Sequence, residues 1–359
     1  MLFEAKYKEL KKPFDLMKSV LNDTDFKSEK HAVTMEVSEG KVLFSFIDPK
    51  SKVEMFYQLE EAETILDGVA TCSLKILYDA LKTFSKSEDV IMLEREEDEL
   101  RVDDGVFPEE MFKLFDDGDM VVLEEVGEKK PLFKTEGKML SDLLNRMSIV
   151  LRKTDFPAEQ LDTQAVYITS VQDETLESAS FSIHQSSYER QPAEVLKSFH
   201  LAFPKPKAKL MAKILNCLDN VTVSTGTSDE QPVCVLNNKN YQIVVKGDYE
   251  VDGNVFSALK SVFASLEERK EAGESISSSD IQELGKLTVR SNVAKESDKW
   301  KLENSGYPAK VLMDFFKAGF SNDNSVCMEV ETDGVLAVLD MTKNHEKMFV
   351  MSYRSGESA

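Results

Sequence analysis

Apolar residues recur at i, i+4, i+7 and i+11 in three stretches: Leu10, Phe14, Met17, Leu21; Leu140, Leu144, Met147, Leu151; and Val255, Leu259, Val262, Leu266. Each set is one stripe of an amphipathic helix. The stripes stand 130 and then 115 residues apart. That interval is domain-sized, far longer than a solenoid or propeller repeat, and predicts one domain copied three times. A second helix follows in each third, at 75–82, 209–216 and 310–317, opened each time by lysine (Lys75, Lys209, Lys310). Pro204 and Pro206, and Pro308, stand where the last two begin, as proline does in the first turn of a helix.

Between the helices lie short runs such as Val42-Leu43-Phe44-Ser45-Phe46, Val53-Glu54-Met55-Phe56-Tyr57, Val90-Ile91-Met92-Leu93, Val221-Thr222-Val223-Ser224, Tyr241-Gln242-Ile243-Val244-Val245, Val326-Cys327-Met328-Glu329-Val330 and Met348-Phe349-Val350-Met351. Apolar or alternating runs bounded by Gly, Asp and Asn predict half-buried antiparallel strands, and Asp333-Gly334 a hairpin turn. The predicted fold class is therefore α+β, with three repeats of two helices on an antiparallel sheet. The charged run Glu124-Glu125-Val126-Gly127-Glu128-Lys129-Lys130-Pro131 and the stretch Lys246-Gly247-Asp248 set boundaries at 1–128, 131–247 and 248–359. The Ser-rich segment 267–280 is expected to form a mobile loop, and the tail 355–359 to fray.

At 359 residues, 42% hydrophobic with 21 Phe, the chain has material for several packed cores. No stretch approaches the 18 or so apolar residues of a membrane helix. The N-terminal MLFEAKYKELKK lacks the apolar core of a secretion signal, so a cytoplasmic location is expected. Cys72, Cys217, Cys234 and Cys327 are scattered, without a CxxC pair. That spacing predicts three or four reduced, buried thiols and no metal site.

A formal net charge of −21 taken alone argues against a polyanionic partner. Its distribution reverses the inference. The six expected helices (7–22, 73–86, 138–153, 204–216, 255–272, 308–318) hold 20 Lys and Arg against 8 Asp and Glu. Acid gathers elsewhere, as in Glu94-Arg95-Glu96-Glu97-Asp98-Glu99 and Asp116-Asp117-Gly118-Asp119. Exposed helix faces commonly carry lysine, but here five of six helices are net basic in an acidic chain, and only 255–272 is neutral. Lys8 and Lys12 lie off the Phe14 stripe, and Arg146 and Lys153 are expected to face away from Leu144. Cations collected on one set of elements bind a polyanion there and leave the rest repulsive to it.

Local motifs join this pattern. Leu10-Lys11-Lys12-Pro13-Phe14 has an unusual proline within a helix; Phe203-Pro204-Lys205 runs into Leu210-Met211; Val350-Met351-Ser352-Tyr353-Arg354 lies near the C-terminus. With the three-fold repeat and basic helices, these segments resemble the bacterial DNA polymerase III beta sliding clamp family over essentially the whole chain. The resemblance implies the DNA clamp fold, with one chain forming half of a closed ring and a homodimer completing it. It implies double-stranded DNA threaded without base readout, and the replicative polymerase and the clamp loader as partners. Residues expected to face DNA are Lys8, Lys12, Lys75, Lys82, Arg146, Arg152, Lys153, Lys205, Lys209, Lys213, Lys310 and Lys317. A pocket for short partner peptides would use Val350, Met351, Tyr353 and Arg354, with His184 opposite. Two departures stand out: Ile183-His184-Gln185-Ser186 replaces the family's Gly-His-Arg-Leu wall, and Lys246-Gly247-Asp248-Tyr249 shortens its Arg-Phe-Pro-Asp-Tyr turn. Divergence of this kind would suit a phage-encoded member and a non-standard peptide preference.

Two other readings compete. A non-ring interaction scaffold would use the same domains without closure. A hydrolase is disfavoured, since His31, His184, His200 and His345 sit in no HExxH, Gly-x-Ser-x-Gly or P-loop context. His184 with Ser186 and Ser187 is a thin basis for nucleophilic chemistry. The Asp103-Asp104 and 116–119 acid runs lack EF-hand spacing. No catalytic residue, cofactor or metal is expected.

Overall fold

The computed structural model describes residues 1–86, 90–151, 165–172, 174–181 and 185–251, and beyond these the backbone of six further strands. The chain begins β1 (Leu2–Lys6), α1 (Tyr7–Val20), α2 (Asp23–Phe26), β2 (Ala32–Ser38), β3 (Lys41–Asp48), β4 (Val53–Gln58), β5 (Glu63–Leu66), β6 (Gly68–Ser73) and α3 (Leu74–Thr83). It continues β7 (Val90–Glu96), β8 (Glu99–Asp103), β9 (Glu110–Lys113), β10 (Lys130–Glu136), α4 (Gly137–Val150), β11 (Ala165–Gln172), β12 (Thr175–Phe181) and β13 (Gln185–Pro192). Then come β14 (Glu194–Val195), β15 (His200–Pro204), α5 (Lys205–Leu215), β16 (Asn220–Ser228), β17 (Gln231–Asn237) and β18 (Tyr241–Lys246). The last strands are β19 (Glu274–Ser277), β20 (Lys299–Leu302), β21 (Ser305–Pro308), β22 (Ser325–Val330), β23 (Val335–Thr342) and β24 (His345–Ser352). The mixture is α+β, and the strand pairs with a described register are antiparallel.

Two compact units result: Met1–Leu132 with Cys217–Asp248, and Phe133–Asn216 with Tyr249–Ala359. In the first, one sheet runs β5-β1-β7-β8-β9 and another runs β16-β17-β18-β4-β3-β2-β6. The join of β18 to β4, in register from Tyr241↔Tyr57 to Val245↔Val53, links strands almost 190 residues apart in the chain. Segment 121–127 lies over this second sheet. Val121 N–H donates to Thr34 Oγ1 (2.8 Å), Glu124 N–H to Glu54 Oε2 (3.0 Å) and Gly127 N–H to Thr227 O (2.9 Å). Lys246 Nζ reaches Glu54 (2.6 Å) and Glu124 (2.7 Å) together, and Ser228 Oγ donates to Glu124 (2.9 Å). The boundary expected at 124–131 is thus a pinned strap that leads into β10.

The Phe14 stripe explains the first core. Leu10, Phe14, Met17 and Leu21 are all buried, and Phe14 meets Phe44 edge to face at 5.3 Å between ring centres. Ser73 caps α3 through Ile76 N–H and Asn22 caps α2 through Thr24 and Asp25, the usual role of short polar side chains at helix starts.

In the second unit the strand order is β15-β11-β12-β13-β24-β23-β22-β19, and α4 packs beside α5, where Ser141 Oγ donates to Ala212 O (2.6 Å). Leu140, Leu144, Met147 and Leu151 are buried as their spacing predicts. The segment 267–280 is no loop throughout: Glu274–Ser277 pair with β22. Edge pairing uses backbone N–H and C=O, so a polar sequence is no bar to it. Pro308, expected to open a helix, instead ends β21; the third apolar stripe, positions 309–318 and the turn at 333–334 lie outside the described residues, as does the tail beyond 352.

Candidate nucleic-acid interface

Helices α1, α3, α4 and α5 hold most of the described members of the expected DNA-facing set, in unequal ways. On α1 and α3, Lys8, Lys12 and Lys82 are exposed and Lys75 half-buried. Most have an acid one turn away: Lys12 meets Glu9 at 2.7 Å, Lys11 meets Asp15 at 3.7 Å, and Lys75 and Lys82 share Asp79. The hydrogen bond from Lys12 to Glu9 raises the Lys12 pKa, keeping its charge fixed. Lys18 and Lys82 also lie over the Tyr78 ring, at 4.9 and 4.6 Å from its centre. These helices offer cations whose field is partly cancelled locally.

Helix α5 differs. Its eleven residues hold Lys205, Lys207, Lys209 and Lys213 with no acidic residue, and Lys209 and Lys213 are exposed. Ala208, Met211, Ala212, Ile214 and Leu215 are buried, so the i, i+3, i+4 pattern that seats the helix leaves the lysines on the remaining faces. Lys207 was not among the residues singled out by sequence, although it sits in the same run.

Arg146 is a correction. It does not face outward from the Leu144 stripe: it is buried, and its Nε donates to Glu189 Oε2 at 2.8 Å in a two-pronged pair. Helix α4 is covered on more than one side, with Ser141, Leu143 and Ser148 also buried, and β13 presents Glu189 beneath it. Periodicity marks the stripe of a helix but gives no signal of a second covered face. Arg152, Lys153, Lys310 and Lys317 lie outside the described residues.

For the expected peptide pocket, strand pairing sets Met351 against Gln185 and Val350 against Ser186. The end of β24 therefore runs beside the start of β13, one residue from position 184. His184, Tyr353 and Arg354 themselves lie outside the described residues.

No cluster of three His, Cys, Asp or Glu residues able to hold a metal occurs among the described residues. His200 is engaged structurally, its Nδ1 2.6 Å from Thr169 Oγ1. Cys72 and Cys234 are buried, and burial pushes the Cys234 thiol up to about 12; Cys217 is exposed, and the burial of Cys327 lies outside the described residues. None of the described helices is long and apolar enough to cross a membrane.

Comparison with known proteins gives a match by fold and none by sequence. No family model and no curated protein matches. Among solved structures, the Helicobacter pylori beta clamp in complex with Carprofen superposes with a TM-score of 0.71 at 15% identity, covering 99% of this chain and 100% of that one. The same clamp bound to a DNA ligase peptide gives 0.68 at 14% identity, with the same coverage. The DNA polymerase III beta chain from Streptococcus pneumoniae gives 0.69 at 11% identity, again over 99% of this chain and 100% of that one. The chain thus has the fold of bacterial beta clamps along its whole length.

Proposed function

We propose that this protein is a sliding clamp and processivity factor, not an enzyme: a cytoplasmic homodimer of three-domain chains (1–128, 131–247, 248–359) that closes as a ring around duplex DNA. The observation that carries this reading is the segregation of charge within a clamp fold. Four lysines occupy α5 with no acid on the helix, in a chain of net charge −21. Lys205, Lys209 and Lys213, joined by Lys207 and by Lys8, Lys12, Lys75 and Lys82, meet phosphates through exchangeable, sequence-independent contacts. The acidic remainder keeps DNA off the outside. Arg152, Lys153, Lys310 and Lys317 complete the set in this proposal, and Arg146 is removed from it.

The second activity is tethering. The junction of β24 with β13, where Val350 and Met351 pair, with Tyr353, Arg354 and His184 as the next candidates along the sequence, takes short peptides from the replicative polymerase and the clamp loader. The ligase peptide bound to a structure of the same fold supports a peptide-binding role.

Topology separates the ring from an open scaffold. The purified chain should form ring-shaped dimers in electron micrographs. Once loaded on nicked circular DNA, it should stay bound until the circle is linearised, then slide off. A monomer, or equal retention on both DNA forms, rules the ring out. Deleting 351–359 should abolish polymerase stimulation while the dimer persists; unchanged stimulation rules out the pocket.

A further inference from the structure

The outer face of the sheet β5-β1-β7-β8-β9 has no part in the functions above. A cross-strand row on this face runs Leu66, Leu2, Glu94, Arg101, Met111. At its β5 end, Ile65 and Leu66 are 51% and 59% exposed. Neighbouring strand residues normally point to opposite faces. Here the ladder between β1 and β5 shifts register at Leu2/Phe3, pairing Leu2 with Leu66 and Phe3 with Thr64, so that Ile65 is the extra residue. A bulge of this kind re-aims a side chain, and it turns two consecutive large apolar residues to solvent.

Strand β5 is the last in its sheet and ladders with β1 alone among the described residues. Such an edge is a template for another extended chain. The surroundings say which chain. Glu60, Glu61, Glu63 and Asp67 flank the doublet in sequence, and all four are exposed. Further along the row, Arg101 is already held by Asp103 (2.9 Å), Glu109 (3.0 Å) and Glu96 (3.5 Å). A second copy of the same face would bring carboxylate against carboxylate. We infer that β5 docks a basic, extended segment of a partner protein, whose apolar side chains cover Ile65 and Leu66 and whose Lys or Arg residues reach Glu61, Glu63 and Asp67. This is a site apart from the β13–β24 junction.

The test uses the full chain and two fluorescein-labelled ten-residue peptides, one alternating lysine with valine, the other lysine with serine, titrated at 0.15 M salt, where long-range attraction is screened beyond about 8 Å. The valine peptide should bind at least about tenfold more tightly, from the burial of its apolar side chains. Ile65→Ser with Leu66→Ser should reduce its affinity to that of the serine peptide. Glu63→Lys with Asp67→Lys should weaken both peptides. Equal binding of the two peptides overturns the proposal, because general attraction to an acidic protein then accounts for all of it. So does an Ile65/Leu66 variant with unchanged affinity, or one whose only effect is on self-association.

Discussion

Helices α1 and α4 hold the same stripe and the same 14-residue length, yet they sit on different floors. In the unit that holds α1 the sheets bring apolar residues to the core: Phe3, Phe44, Phe46, Met35 and Met55 are all fully buried. Beneath α4, β12 and β13 present Ser178, Ser180, Ser187, Glu189 and Gln191, all at 2% exposure or less. Ser180 Oγ donates to Met147 O, and Glu189 takes the Arg146 guanidinium. The surfaces are inverted in the same way. The lysines of α1 and α3 have acids a turn away on the same helix, whereas α5 carries lysines and no acidic residue of its own. Equal stripes thus specify where a helix lies but not what chemistry it covers.

The largest effect expected is from breaking the polar floor on one side. Arg146→Met or Glu189→Leu alone should cost about 3–5 kcal/mol in urea unfolding, because each leaves a buried charge unpaired. The double variant should recover most of that loss, or exceed the parent, since an apolar pair avoids the desolvation cost. Should the double variant be as unstable as the singles, the two floors are not interchangeable. On the apolar floor, Phe44→Ala should cost a comparable 3–5 kcal/mol or so by opening a cavity, with no partner substitution able to restore it. Ser180→Ala, by contrast, should cost only about 1 kcal/mol, one buried hydrogen bond.

Both surfaces should contribute to DNA binding. Replacing Lys205, Lys209 and Lys213 by Gln should flatten the dependence of log K on log salt by about 0.9 for each phosphate no longer neutralised. The same change at Lys12, Lys75 and Lys82, whose partners Glu9 and Asp79 sit on their own helices, should flatten it as well. An unchanged slope in either triple would remove that helix from the DNA-facing set.

The smallest effect concerns the strap at 121–127. Hydrogen bonds from Lys246 and then Ser228 hold the Glu124 carboxyl below its ordinary value. A depressed carboxylate contributes stability that is complete above the ordinary carboxylate range and is lost as pH falls through the lower, folded value. Amide exchange at Glu124 and Gly127, corrected for its intrinsic pH dependence, should therefore quicken only in acid. Lys246→Met should raise the pH at which this happens.

Much of the architecture was legible because periodicity records solvent exposure directly. Both described stripes are buried, the proline signal preceded α5, and the apolar runs became strands. Arg146 shows the limit: a helix wheel counts it as surface, and only the depth of β13 makes it a core residue with Glu189 as its partner. Nothing in the local pattern around Ile65 and Leu66 marks them: only the register shift against β1 shows that both are turned to solvent. The expected pocket needed contacts between positions 185–186 and 350–351, which no local pattern encodes.

By itself the sequence determined the fold class, the placement of α1, α3, α4, α5 and the strands named from it, and the concentration of basic charge on those helices, since each depends on residues within a few turns of one another. Only the tertiary structure decided that β18 joins β4 and β24 joins β13, which cations reach solvent and which lie buried. Those outcomes depend on what the far parts of the chain bring opposite each side chain, and thus on the local dielectric and the partner found there.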